Sequence, residues 1–301
     1  MTLEATSTAE LKQRDAASYD TSAAAFDRLT ERFSTPLALE MLRLARLGPA
    51  HRVLDVGTGT GLVALQAAQA VPGCRAVGID HSHGMLSEAS AKARQRGLDA
   101  RVEFRRMDAE ALEFEDASFD AAVSLFVLLH LPDPSAALRE MRRVLRPGGR
   151  VVIGVGSGPQ LASLTGLRRA VGHVVERIAA ARGRLLTAPG FLQDLMARQG
   201  VPPRRSDIAH HGPIDVAKLL RAAGFRDIAR SWQGIRAELE PEEFWAVQAT
   251  YGSPERIRLA ELSPTQLAEL KAAFLEECRS VQDRGGKLVY PFGAMFYTAS
   301  A

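Results

Sequence analysis

Val53-Leu54-Asp55-Val56-Gly57-Thr58-Gly59-Thr60-Gly61 runs directly into Leu62-Val63-Ala64-Leu65-Gln66-Ala67-Ala68. An apolar run, a turn of alternating glycine and threonine, and an apolar helix-forming run read as strand, tight turn and helix. Glycine at every second position lets the backbone approach a ligand closely. The new helix aims its unpaired N–H groups and positive dipole end at the same point, so an anionic group is expected there. A dinucleotide fingerprint would need a further glycine at position 62, which is Leu62.

Working outward, the pattern recurs. Val71-Pro72-Gly73 closes the helix, and Arg75 to Asp80 forms a second apolar strand ending in an acid, 19 residues beyond Gly61. A carboxylate at that strand tip can accept hydrogen bonds from both hydroxyls of a ribose. His81-Ser82-His83-Gly84-Met85 opens a helix with Ser82 as N-cap, and Gly97 ends it. Val102 to Met107 is a third strand, followed by Asp108-Ala109-Glu110. Ala121 to Phe126 is a fourth, apolar enough to be buried on both faces. Val127 to Asp133 follows its carboxyl end, where open parallel sheets place ligands. Pro134 to Leu145 is an amphipathic helix, and Arg146-Pro147-Gly148-Gly149 turns it into a fifth strand, Arg150 to Val155.

These motifs span Arg52 to Val155, about one third of the chain. Together they resemble the class I S-adenosylmethionine-dependent methyltransferases, of the ubiquinone- and menaquinone-biosynthesis-like group (methyltransferase type 11). The resemblance implies an α/β, Rossmann-like fold: a seven-stranded, mostly parallel sheet with its last strand antiparallel, plus a helical cap. S-adenosyl-L-methionine is the implied cofactor and S-adenosyl-L-homocysteine its product. Asp55, Gly57, Thr58, Gly59 and Thr60 would then serve the methionine part, and Asp80 the ribose with His81 beside it. Met85 would pack on the adenine, Asp108 would accept the exocyclic amine, and the Ala109 backbone would serve a ring nitrogen. Ser124 and Leu125 would face the methionine end, with His130 near the reacting methyl.

His130 is the candidate general base, because imidazole titrates near neutral pH; a structural histidine bonded to a loop carbonyl is the plainer role for it. No metal is expected, since His81 and His83 lack a third ligand at sensible spacing and His210-His211 read as a solvated loop.

Around this core, residues 1–15 read as a flexible N-terminus. Residues 16–50 read as helices broken near Ser34-Thr35-Pro36; in the resembling family such helices cover the site, making Tyr19 and Phe26 substrate-side candidates beside His130. Residues 51–155 are the cofactor-binding core and 156–213 a helical cap insertion, with Leu161 to Ile178 at helical spacing. Residues 214–301 supply the rest of the core sheet and C-terminal helices, at Pro241 to Tyr251 and Pro264 to Val281.

Composition narrows the function. Lys and Arg exceed Asp and Glu by only three (38 against 35), without the basic, aromatic-interleaved patch of a nucleic-acid binder. Enzymes that methylate exocyclic amines of bases carry an acid or amide, two prolines and an aromatic after strand four; here stands Ser124-Leu125-Phe126-Val127. A small-molecule acceptor, methylated on oxygen or carbon, is expected: a secondary metabolite, quinone or prenyl-type compound. The acids establish binding competence only, so a cofactor-binding protein with a non-methylating role fits the same residues. No signal peptide or membrane span is read, and two cysteines, Cys74 and Cys278, fit a reducing, cytoplasmic setting. Oligomeric state is left open.

Overall fold

The computed structural model describes residues 8–20, 23–156, 185–187, 191–201 and 214–301. They form two compact units. Of the described residues, the first takes in 8–20, 23–156, 214–233 and 294–301, and the second 185–187, 191–201 and 234–293.

In the first unit, α1 (Thr8–Asp20) and α2 (Ala23–Ala45) precede β1 (Arg52–Val56), α3 (Leu62–Ala70), β2 (Arg75–Asp80), α4 (His83–Gln95), β3 (Val102–Arg106) and β4 (Phe119–Leu125). A 3-10 turn (Leu128–His130), α5 (Pro134–Val144) and β5 (Leu145–Gly156) follow. The motif-bearing strands and helices thus lie where their apolar runs put them. β1 pairs in parallel with β2 and β4, β2 with β3, and β4 with β5. The last strand, β8 (Lys287–Ser300), runs antiparallel to β5, with Arg150 opposite Ser300 and Gly156 opposite Ala294. β7 (Arg226–Glu238) also pairs with β8, giving the seven expected strands in a sheet that reads β3-β2-β1-β4-β5-β8 from its parallel edge. Leu54, Phe119, Leu138 and Ile153, none more than 1% exposed, centre the core between the sheet and α5.

Three local readings are corrected. The helix α1 begins at Thr8, inside the segment read as a flexible terminus, and Lys12 on it is tied by two ion pairs. α2 is continuous through Pro36, where a break was expected. Proline removes one helical bond and crowds the preceding turn, but Phe33, Leu37, Ala38 and Met41 around it are all buried, and that packing holds the helix together. The Arg146 to Gly149 turn lies inside β5: Phe119 pairs with Leu145 and Ala121 with Arg150, so the intervening residues bulge out of register.

In the second unit, β6 (Leu185–Thr187) adds a short eighth strand parallel to Lys287–Val289 of β8. It is followed by α6 (Phe191–Arg198). With α7 (Val216–Ala222) assigned to the first unit, the second continues with α8 (Pro241–Tyr251), α9 (Ser253–Ala260) and α10 (Pro264–Asp283). α9 was not anticipated from the sequence. The rings of Phe191, Phe244, Trp245 and Phe274 meet at centroid separations of 4.9 to 6.2 Å and form this unit's own core. Most of the expected cap, including Leu161 to Ile178 and His210-His211, lies outside the described residues.

Candidate donor site at the strand ends

The turn after β1 is built by two different constraints on its three glycines. A Cβ at Gly57 would fall 2.1 Å from Cγ2 of Val127, and one at Gly61 would fall 2.7 Å from Cζ of Phe104. Both glycines permit close packing of the turn against its neighbours. At Gly59 the backbone φ is +54° and a Cβ would meet nothing within 4 Å, so the Cα of this residue borders open space. The glycines of the motif divide into two that dock the turn and one that presents it.

Carboxylates brace the turn from below. Asp55, 1% exposed, accepts from Thr58 Oγ1 at 2.7 Å and from the Ala64 amide, in the first turn of α3, at 3.1 Å. Burial pushes its pKa up to about 7 against those two bonds, with Asp80 adding like charge. Asp55 therefore shapes the turn from within, rather than facing the open side. Asp80 accepts from the amides of Gly59 and Ser82, each at 2.9 Å, joining the glycine turn to the start of α4. Burial also raises the Asp80 pKa, outweighing these backbone bonds and nearby His81. The Thr58 amide donates to Ile79 O at 2.8 Å, fixing the same junction.

The hydroxyl of Thr60 is buried and has no hydrogen-bond partner among the described residues. An orphaned hydroxyl in a turn with open space at Gly59 fits a polar ligand group. Ser82 caps α4 through the Met85 amide at 3.1 Å. Met85 itself is only 2% exposed, a core residue with little surface to offer a ring.

Asp108 follows β3 and keeps about a third of its side chain exposed. It accepts from the Glu110 amide at 2.9 Å and from Lys12 Nζ at 2.8 Å, while His81 Nε2 stands 3.9 Å away. Burial works against its charge, but Lys12 and the Glu110 amide hold its pKa below the ordinary range. The Ala109 side chain is buried beside it, and Ser124 is 2% exposed at the end of β4, with Leu125 half-buried next to it. Phe126 then takes a φ of +64° while its amide bonds Gly154 O at 2.7 Å, turning the chain so that Val127 reaches Gly57. Beyond the turn, the His130 ring lies 6.3 Å from that of Tyr19, which packs edge-on to Phe26 at 5.6 Å.

Following the carboxyl ends of the parallel strands, Asp80 meets the glycine turn, Asp108 stands near His81, and His130 faces Tyr19, which packs on Phe26. Lys12, Asp20, Phe104 and Val127 were missed. Asp20 accepts from Ser82 Oγ at 2.5 Å and from the Gly84 amide at 2.8 Å. Neither acid nor lysine carries a local signal, because each acts on residues about sixty to a hundred positions away.

Residues 54–153 match the family model described as a methyltransferase domain. A phosphatidylethanolamine N-methyltransferase of Cereibacter sphaeroides is 44% identical over 102 residues, 34% of this chain and 49% of that one. A demethylmenaquinone methyltransferase of Deinococcus radiodurans is 36% identical over 178 residues, 58% of this chain and 68% of that one. The chain spans about half the length of several of the curated relatives it matches. Among solved structures, the [4+2]-cyclase SpnF has the same fold at a TM-score of 0.50 and 24% identity, covering 88% of this chain and 80% of that one.

Proposed function

The chain belongs to the S-adenosylmethionine-dependent methyltransferases, and we propose that it transfers a methyl group from S-adenosylmethionine to oxygen or carbon of a small-molecule acceptor. One observation carries the donor assignment. Asp80 and Asp108, at the ends of adjacent strands, flank a glycine turn whose Gly59 Cα borders open space and whose Thr60 hydroxyl has no partner among the described residues. In this reading Thr60 and the glycine backbone hold the methionine carboxylate, Asp80 the ribose hydroxyls, Asp108 the exocyclic amine and the Ala109 amide a ring nitrogen. Asp55 acts through the turn that it braces.

When bound, S-adenosylmethionine supplies an electrophilic methyl on a sulfonium whose leaving group is already good. The protein's work is then alignment and exclusion of water. Tyr19 and Phe26 provide apolar surface beside His130, and the His130 imidazole takes the proton of an acceptor hydroxyl or acidic C–H where one must leave. A quinone-like, phenolic or prenyl acceptor is consistent with these aromatic neighbours, and the relative from D. radiodurans is named for demethylmenaquinone. We place the reaction in the cytoplasm, which the two free, buried cysteines Cys74 and Cys278 support.

Incubation with methyl-labelled S-adenosylmethionine and a panel of phenols, quinones and prenyl compounds tests the proposal. Label in an extracted small molecule is expected. Calorimetric binding of the donor with no labelled product from any class would sink methyl transfer and leave a non-methylating, cofactor-binding role.

A further inference from the structure

The ion pair between Lys12 and the acids after β3 has a use that the donor site does not yet account for. Lys12 Nζ lies 2.8 Å from Asp108 Oδ2 and 2.6 Å from Glu110 Oε2, with its side chain 14% exposed. Glu110 in turn accepts, through Oε1, from the Asp133 amide at 2.8 Å, and Asp133 caps α5. At the other end of α1, Asp20 takes the Ser82 hydroxyl and the Gly84 amide at the start of α4. Between them, Tyr19 stands against His130.

Lys12 and Asp20 are eight residues apart, about 12 Å along a helix. α1 is therefore fastened to the loop after β2 by Asp20 and to the loop after β3 by Lys12, and it touches the turn after β4 through Tyr19. The strand ends it crosses are those that carry the donor-site acids. One ammonium shared between two carboxylates also removes the repulsion that Asp108 and Glu110 would otherwise exert on each other.

We propose that Lys12 is a positioning residue for the donor: it latches α1 across the strand ends and orients Asp108, so that docking of α1 and donor affinity are coupled. This rests on the donor assignment above. A carboxylate offers about four lone-pair sites, and Asp108 spends one on Lys12 and one on the Glu110 amide, so Lys12 and an exocyclic amine can be accepted together.

The test uses the full chain, with S-adenosylhomocysteine as the calorimetric probe and hydrogen exchange read over residues 8–20. Lys12→Met is expected to weaken the probe about tenfold, the scale of a lost charge-assisted bond. The same variant should speed exchange over α1 in the free protein. Lys12→Arg should stay within about threefold of the parent, because it keeps the charge. In turnover assays, KM for the donor should rise while kcat at saturation holds. Glu110→Gln, which keeps the acceptor for Asp133 but removes one charge partner, should weaken the probe less than Lys12→Met does.

Unchanged or tighter probe binding in Lys12→Met overturns the latch, as does a lower melting temperature with unchanged affinity. The parent protein is titrated first. If it fails to bind the probe, the donor assignment falls, whereas normal parent binding beside an indifferent Lys12→Met removes the latch alone.

Discussion

The strand-end loops of the first unit and the helical core of the second are held together by different physics. The loops are fixed by polar and steric constraints on single atoms: Asp55 on Thr58 and Ala64, Asp80 on Gly59 and Ser82, and Gly57 against Val127. The second unit rests on rings, with Phe274 fully buried among Phe191, Phe244 and Trp245. Few residue types can satisfy the first kind of constraint, while many apolar combinations satisfy the second. A small change in the loops should therefore be felt in binding, and a large one in the ring core should be felt in stability.

The largest expected effect lies in the ring core. Phe274→Ala should destabilise the protein by about 3 to 5 kcal/mol, from lost transfer energy plus the cavity. Urea unfolding measures it, and donor affinity of the protein that stays folded should change by less than about threefold. A parallel collapse of donor binding would break the comparison, since the regions would then not be energetically separate.

Gly57→Ala comes next, at about 2 to 4 kcal/mol, combining a left-handed backbone with overpacking of Val127. The pair Gly57→Ala, Val127→Ala should recover part of that loss in the same unfolding assay. No recovery would show that backbone conformation alone sets the cost.

Asp55 gives the comparison a pH axis. Its folded pKa, about 7, is above that of an unfolded aspartate, so the folded state holds its proton more tightly between roughly pH 4 and pH 7. The unfolded state binds fewer protons there, and the Asp55 contribution to stability must fall as pH rises through that window, then level off. The drop should be on the order of 4 kcal/mol. In Asp55→Asn this component should vanish from the pH dependence of urea unfolding. An identical slope in both proteins would show that Asp55 does not carry it.

Smaller again, Asp80→Ala should weaken S-adenosylhomocysteine by about 1 to 3 kcal/mol, the scale of hydrogen bonds to a charged group. Unchanged calorimetric affinity in the folded variant would remove Asp80 from the site. Gly59→Ala completes the series with about 1 kcal/mol of lost stability, since only the backbone is strained, beside a clear loss of affinity. Equal losses of stability at Gly57 and Gly59 would erase the distinction between docking and presenting glycines.

The same contrast explains what could be read without coordinates. Strand, turn and helix around Gly57 to Gly61, the acids Asp80 and Asp108, and Ser82 as a cap were legible because each is a local rule of backbone geometry or strand position. Pro36 inside α2 was misread for the opposite reason: its local rule is outweighed by the buried neighbours Phe33, Leu37 and Met41, which no window of sequence weighs. Asp55 was assigned to the ligand when its bonds serve the turn, because a motif records that an acid is present but not which way its oxygens point. Lys12 and Asp20 left no trace, since their partners, in the loop after β3 and at the start of α4, are distant in sequence. α9 escaped because its short run, Ser253 to Ala260, mixes charge with little apolar periodicity.

The division of the chain bears on how such a protein can change over generations. Among the described residues the second unit is drawn from two separate stretches, one ending by 201 and one spanning 234–293, while the first resumes at 214–233 and 294–301. Replacing that unit by recombination would require four junctions to fall in the right places at once, two of them inside β7 and β8. Exchange of whole modules is a poor route to novelty here. Substitution in place, under a donor-binding core that tolerates little, is the path this architecture leaves open.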